Sequence, residues 1–455
     1  MRSFYQEFCS HPSLDLTRYK SNTLNPYTES SFFHTLNYSQ KQQLNHLQGA
    51  IIAAVDGGLG IREFQGLDLT LIKAVVVEYD FKNPFHPQIS YFPTKESDAN
   101  FALYTDYGIN RSKNVSSLAS FRRILAENSM VLDYITHKKE LELRNRAIPM
   151  IIVLDGSIHL PPIQHFYNLL QSFPKLCLEV IESYRILYQT CAQNGIWLVG
   201  SVKDSRTSQL RDLLIKSIPK LLKQLNLKDN SSFLQFNYRQ QLLGLSDYEL
   251  LYRIMKPHSR TVIIQETRDF KINPPSLSTL PLYGENTMFG DQTLILTSLF
   301  QTRIQYSVFY SYLRLSQKDL PLRFELYCPS SINPEIGQKQ FVKIIEILSP
   351  ISSIEPTCTL PLPQIEAHLR AHLSEKEVDL ILNPLISRLN LPFSSLVSEN
   401  FPKNPSPAES ANLAENTIKS RVKNTSDSSN IQDNTQLSSQ PSFISSRHTR
   451  LDLLF

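Results

Sequence analysis

Two short, nearly unbroken apolar runs, each closed by an aspartate and a glycine, constrain this chain more than any other feature. Ile51-Ile52-Ala53-Ala54-Val55 leads into Asp56-Gly57-Gly58, and Met150-Ile151-Ile152-Val153-Leu154 leads into Asp155-Gly156-Ser157. Apolar runs of this length, without polar alternation, are strands covered on both faces. The glycine after each aspartate permits a sharp turn, so each carboxylate is expected at its strand's end, on the edge of a sheet. If the two strands are neighbours, Asp56 and Asp155 can share one or two divalent cations that activate water and offset charge on a phosphate. A lone Asp-Gly pair is more often a plain turn. A phosphatase with a strand-end nucleophilic aspartate would want a second acid two positions on, where Gly58 and Ser157 stand instead.

The rest of the chain fits such a sheet. From Gln48 to about Ser395, strand-like runs alternate with longer amphipathic stretches, the pattern of an α/β core. Further strands are expected at Thr70 to Tyr79, Ile196 to Val202, Thr261 to Gln265, Leu294 to Ser298, Ile304 to Leu315 and Arg323 to Tyr327, beside those at Ala50 to Val55 and Met150 to Leu154. Helices are expected at Ser116 to Arg146, Ile163 to Gln193, Ser208 to Leu225 and Ile365 to Leu373. The chain then has three divisions: a polar, aromatic lead-in over 1–45, helical or irregular; a core domain over 46–395; and a tail over 396–455. The tail is rich in Ser, Asn, Gln, Thr and Pro, and is expected to be disordered because it cannot bury enough apolar surface to offset its ordering entropy.

Composition excludes more than it selects. With 455 residues, 41% of them hydrophobic, the chain can bury a substantial core, and its net charge of +4 suits a nucleic acid without requiring one. Five scattered cysteines form no CxxC or Cys/His spacing, so neither a zinc site nor a disulfide framework is expected. The first twenty residues lack the apolar segment of a secretory signal, and no run approaches the roughly 18 apolar residues of a membrane span. A soluble protein of the reducing cytoplasm is the resulting expectation.

Five motifs then occur in a telling order. Ala53-Ala54-Val55-Asp56-Gly57-Gly58, followed by Leu71-Ile72-Lys73-Ala74, resembles the opening motif of the NurA nucleases, and Leu154-Asp155-Gly156-Ser157 resembles their second. Leu198-Val199-Gly200-Ser201-Val202-Lys203-Asp204-Ser205-Arg206 is similar to their strand-and-lysine motif. Phe309-Tyr310-Ser311-Tyr312-Leu313-Arg314-Leu315, continued by Leu322-Arg323-Phe324-Glu325, is similar to their late strand pair. Leu360-Pro361-Leu362-Pro363-Gln364-Ile365-Glu366-Ala367-His368 is similar to their C-terminal block ending in Ala-His. The resemblance implies an RNase H-like α/β core, with a central mixed sheet flanked by helices. It also implies a Mn²⁺- or Mg²⁺-dependent hydrolysis of DNA phosphodiesters at DNA ends, 5′ to 3′, in double-strand-break repair. A HerA-type hexameric DNA-pumping ATPase as partner and a homodimer belong to the same implication. Asp56, Asp155 and His368 carry over as acidic metal ligands and an active-site histidine, with His372 one turn further as a substitute. Two positions depart from the pattern: Leu360 stands where a tyrosine is usual, and Gly58 where serine is usual.

The family also places a glutamate on the helix before the second Asp-Gly strand, where Glu127, Glu140 and Glu142 compete. A strand from Met150 to Asp155 climbs roughly 17–20 Å, and an antiparallel helix needs about 12 residues to match that height. The metal-facing acid should therefore lie early in the helix, which favours Glu127, flanking the stripe of Phe121, Ile124, Val131 and Ile135. The expected metal set is Asp56, Glu127, Asp155 and His368, with Lys203 and Arg206 on DNA phosphate. Arg260, Arg314 and Arg323 either extend that track or pair with acids. The chain closes on Arg450-Leu451-Asp452-Leu453-Leu454-Phe455, an apolar end on a polar tether. Leu451, Leu453 and Phe455 resemble the apolar positions of a bacterial sliding-clamp-binding peptide; the alternative is that they fold back onto the core. The rival to the nuclease is a catalytically impaired DNA-binding or adaptor protein on the same fold, kept open by Leu360.

Overall fold

The computed structural model describes residues 24–26, 33–36, 45–64, 67–94, 101–107, 114–138, 148–170, 172–203, 208, 210–212, 215–216, 239–240, 242–273, 289–329 and 331–388. The tail, Arg206, Glu140, Glu142 and the peptide of Leu451, Leu453 and Phe455 lie outside them, as does most of the helix expected at Ser208 to Leu225. The strands are β1 (Leu24–Pro26), β2 (Phe33–Thr35), β3 (Ile51–Phe64), β4 (Leu67–Asp80), β5 (Gln88–Phe92), β6 (Ala102–Tyr107), β7 (Ile151–Asp155), β8 (Trp197–Val202), β9 (Ser259–Thr261), β10 (Ile264–Lys271), β11 (Arg303–Arg314) and β12 (Leu322–Cys328). The helices are α1 (Asn114–His137), α2 (Ile163–Leu170), α3 (Pro174–Gln193), α4 (Asp247–Ile254), α5 (Phe289–Gln301), α6 (Pro334–Ser352), α7 (Leu362–Ala371) and α8 (Glu375–Arg388).

These strands form one mixed sheet in the order β1-β10-β11-β12-β8-β7-β3-β4-β5, with β6 on β4 and β9 between β2 and β11. At its centre β3, β7 and β8 run parallel, and every other pairing is antiparallel. The two apolar runs occupy this parallel centre because both of their faces are covered. Alternate residues Ala53, Val55, Ile152 and Leu154 join the core beneath α1, α2 and α3. Ile52, Ala54, Ile151 and Val153 join the core beneath α6 and α7. Each fully buried Ile or Val of this kind contributes roughly 1.5–3 kcal/mol. Among the described residues no helix is long and apolar enough to cross a membrane, and Cys177, Cys191, Cys328 and Cys358 are buried free thiols.

Several expectations need correcting. Leu294 to Ser298 is not a strand but lies within α5, where Leu296, Leu299 and Phe300 pack at helical spacing against the core. The helix expected over Ile163 to Gln193 is two helices, divided ahead of Pro174, which sits in the first turn of α3 where its missing N–H costs nothing. The lead-in, expected to be helical or irregular, contributes β1 and β2 to the sheet. Helices α4, α6 and α8 have no counterpart in the expected set.

Candidate active site

The first Asp-Gly does not end its strand. β3 continues through Asp56, Gly57 and Gly58 to Phe64, paired with β4 along its whole length. Its glycines serve close packing instead. A methyl group on Gly58 would lie 1.8 Å from the carbonyl oxygen of Ala371 at the end of α7, and one on Gly57 would lie 2.6 Å from Glu127 Oε1 on α1. The second Asp-Gly behaves as expected: β7 stops at Asp155, and Gly156 takes φ 108°, a region that disfavours a side chain.

Registration brings the two aspartates together. Val55 pairs with Leu154 in the parallel β3–β7 ladder, so Asp56 and Asp155 occupy the next rung on strands about 4.8 Å apart. Both meet α7: His368 Nδ1 lies 2.7 Å from Asp56 Oδ2, and Gln364 Nε2 donates to Asp155 Oδ1 at 2.9 Å. Against a carboxylate the His368 nitrogen acts as the donor. Burial, then repulsion from Asp155, pushes the Asp56 carboxyl above its usual range, while His368 and Arg123 pull it back.

Glu127, selected by helix geometry, arrives at the same rung from the opposite face of β3, resting over Gly57. It pairs with Arg123 one turn earlier, at 3.5 Å. Glu127 beside it, and then Asp155 and Asp56, hold the Arg123 guanidinium charged against the opposing effect of burial. Arg123 is thus the cation common to all three acids. The i, i+4 spacing of Arg123 and Glu127, and of Gln364 and His368, was the only sequence signal for the two residues missed, Arg123 and Gln364. Among the described residues no three His, Cys, Asp or Glu side chains already converge as a metal cage.

Beside Asp155 opens a cleft of about 1100 Å³, lined by Arg123, Glu127, Lys203, Arg268 and residues of the Asp155–Ile163 turn. Its far wall is an ionic network. Glu325 accepts from Ser157 Oγ at 2.7 Å and from the Ile158 N–H at 2.9 Å, and pairs with Arg323 at 2.6 Å. Burial pushes the Glu325 carboxyl up, but Arg323, His159 and these hydrogen bonds outweigh it and hold it below the usual range. His159 sits 3.2 Å from Tyr306 Oη and 3.6 Å from Glu266, and burial lowers its pKa to about 4.

Other candidates fare differently. Lys203 lines the cleft but is held by Asp319 at 3.0 Å, and Asp319 also accepts from Thr359. Arg314 binds the carbonyl of Tyr252 near the end of α4, Arg260 binds the Thr261 carbonyl, and Arg323 is buried against Glu325, so the three make internal bonds. His372 caps α7, its ring 6.5 Å from that of His368. Leu360 is buried in the apolar core under α7 and delivers no hydroxyl.

The family model of the NurA domain matches residues 50–355, about two thirds of the sequence. The chain belongs to the NurA family. The NurA match takes in Asp56, Glu127 and Asp155 and ends before α7. No curated protein matches the sequence. Among solved structures, the chain is similar to the NurA nuclease from Sulfolobus solfataricus at 14% identity, covering 85% of this chain and 92% of that one with a TM-score of 0.39. It is also similar to NurA with manganese (13% identity, 78% and 94% covered, TM-score 0.32) and to NurA bound to dAMP and manganese (13%, 76% and 92%, TM-score 0.31). At these scores the structural likenesses add nothing to the family match.

Proposed function

We propose that this NurA-family chain is a divalent-metal-dependent DNA nuclease on an RNase H-like core. It would hydrolyse phosphodiesters at DNA ends, 5′ to 3′, in double-strand-break repair. The observation that carries this reading is the shared rung of Asp56 and Asp155, two carboxylates on adjacent parallel strands at a cleft that Asp155 lines together with Arg123, Glu127 and Lys203. Manganese or magnesium fits the donors. Carboxylate oxygens suit these cations, and a divalent charge would relieve both the burial and the repulsion from Asp155 that lift the Asp56 carboxyl. Asp56, Asp155 and Glu127 are the residues that would hold it, with His368 bonded to Asp56 as the group that orients that ligand. When bound, the cation supplies a water of lowered pKa and positive charge at the scissile phosphate.

The remaining work falls to the chain's own groups. His368 keeps a proton on Nδ1 toward Asp56, fixing that carboxylate's orientation. Arg123 faces the cleft and offers a guanidinium to a phosphate oxygen beside Asp155, with Lys203 and Arg206 as further phosphate contacts. The turn at Gly156 leaves Asp155 lining the cleft, where a DNA strand end would enter. A HerA-type ATPase, a second copy of the chain and, through Leu451, Leu453 and Phe455, a sliding clamp are the partners in this reading, and the cytoplasm its setting. A tail peptide that fails to bind a bacterial clamp in direct titration removes the clamp from it.

The deciding experiment is a Mn²⁺-dependent digestion of end-labelled single- and double-stranded DNA by wild type, Asp56→Ala and Asp155→Ala. Wild type should cleave, and each variant should lose at least about a thousandfold in rate. A wild-type protein that leaves both DNA forms intact ends the nuclease reading in favour of a DNA-binding adaptor.

A further inference from the structure

The amide of Gln364 is not accounted for by packing. It is 1% exposed on α7, one turn before His368, and its Nε2 donates to Asp155 Oδ1 while its Oε1 is buried with no hydrogen-bond partner among the described residues. A carboxylate accepts only from a donor, which fixes Nε2 toward Asp155 and leaves Oε1 as the unmatched atom. Folding gains nothing from such an acceptor; leucine or methionine would fill the same volume without it. The same helix face carries His368 onto Asp56, so residues four apart on α7 each hold one of two carboxylates on adjacent strands.

We propose that Gln364 is a positioning residue of the metal site. Its amide fixes the orientation of Asp155, as His368 fixes that of Asp56, and together they set the spacing at which the two acids receive a cation. The inference rests on the nuclease reading above and concerns a residue beyond the part of the chain that the family model matches.

Full-length wild type, Gln364→Leu and Gln364→Glu are titrated with MnCl₂, free Mn²⁺ is followed by electron paramagnetic resonance, and thermal midpoints are taken with and without the metal. Gln364→Leu should melt near wild type without metal, since it removes a buried unmatched acceptor, yet bind Mn²⁺ about tenfold more weakly, as expected for a group that orients a ligand. Gln364→Glu places a third carboxylate beside Asp155. It should lower the metal-free midpoint and show a larger Mn²⁺-induced rise than wild type. If both variants bind Mn²⁺ within about twofold of wild type, and Mn²⁺ raises all three midpoints alike, Gln364 is a packing residue and the inference falls alone. If wild type itself takes up no Mn²⁺, the inference and the metal-dependent nuclease fall together.

Discussion

Asp56-Gly57 and Asp155-Gly156 are the same dipeptide after nearly the same apolar run, and the fold uses them in opposite ways. At Asp56 the strand runs on, its glycines lying flat between α1 on one face and α7 on the other. At Asp155 the strand stops, Gly156 turns with positive φ, and the loop after it is gripped by Glu325 through Ser157 and Ile158. The residues downstream of each dipeptide make the difference. Leu59-Gly60-Ile61 can continue a ladder with β4, whereas after Gly156 the N–H groups of Ile158 and His159 are taken by the side chains of Glu325 and Ser157. The chain after one aspartate is therefore held by packing, and the chain after the other by hydrogen bonds.

This contrast can be broken by substitution. Gly58→Ala should do the most damage, because its methyl group meets backbone rather than a movable side chain. We expect a loss of about 3 kcal/mol or more in chemical denaturation, or no soluble protein. A loss under about 1 kcal/mol would show that α7 yields readily. Acid should act on the Asp155 side. The folded His159 pKa of about 4 lies below the roughly 6.5 of an unfolded histidine, so below pH 6.5 the unfolded chain binds a proton that the folded one refuses. That contribution is absent above pH 6.5, and stability declines as the pH falls from there toward 4. His159→Gln should escape this decline, retaining about 2 kcal/mol more than wild type at pH 4.5, relative to each protein's own value at pH 7. Parallel urea curves for the two proteins at both pH values would argue against it.

Gly156→Ala should cost about 1–2 kcal/mol through its backbone alone, read as a shift in denaturation midpoint at unchanged slope. Gly57→Ala should cost least in stability, since Glu127 and Arg123 can swing away, but it should uncouple folding from function. Its Mn²⁺ affinity should fall about tenfold with the thermal midpoint little changed. Equal Mn²⁺ binding would place Glu127 outside the metal set.

How far the sequence anticipated this depends on the kind of signal involved. The parallel centre was legible because strands covered on both faces carry a composition that little else shares. The height of Glu127 was legible because helices and strands climb at fixed rates. α5 was misread as a strand because a short apolar run fits either period, and only its partner, the α3 face, settles the matter. The face from which each acid approaches was hidden for a different reason. Glu127 and Asp56 are separated by the thickness of one strand, a relation that exists only once α1 and α7 have docked on opposite sides of it.

The late position of α7 also sets an order on biogenesis. Both aspartates are synthesised in the first 155 residues, but the imidazole and amide that hold them come more than two hundred residues after Asp155. A nascent chain carries both acids on its early strands long before it can align them. If these residues cut DNA, the ribosome must release the last helices of the core before the protein can injure a chromosome.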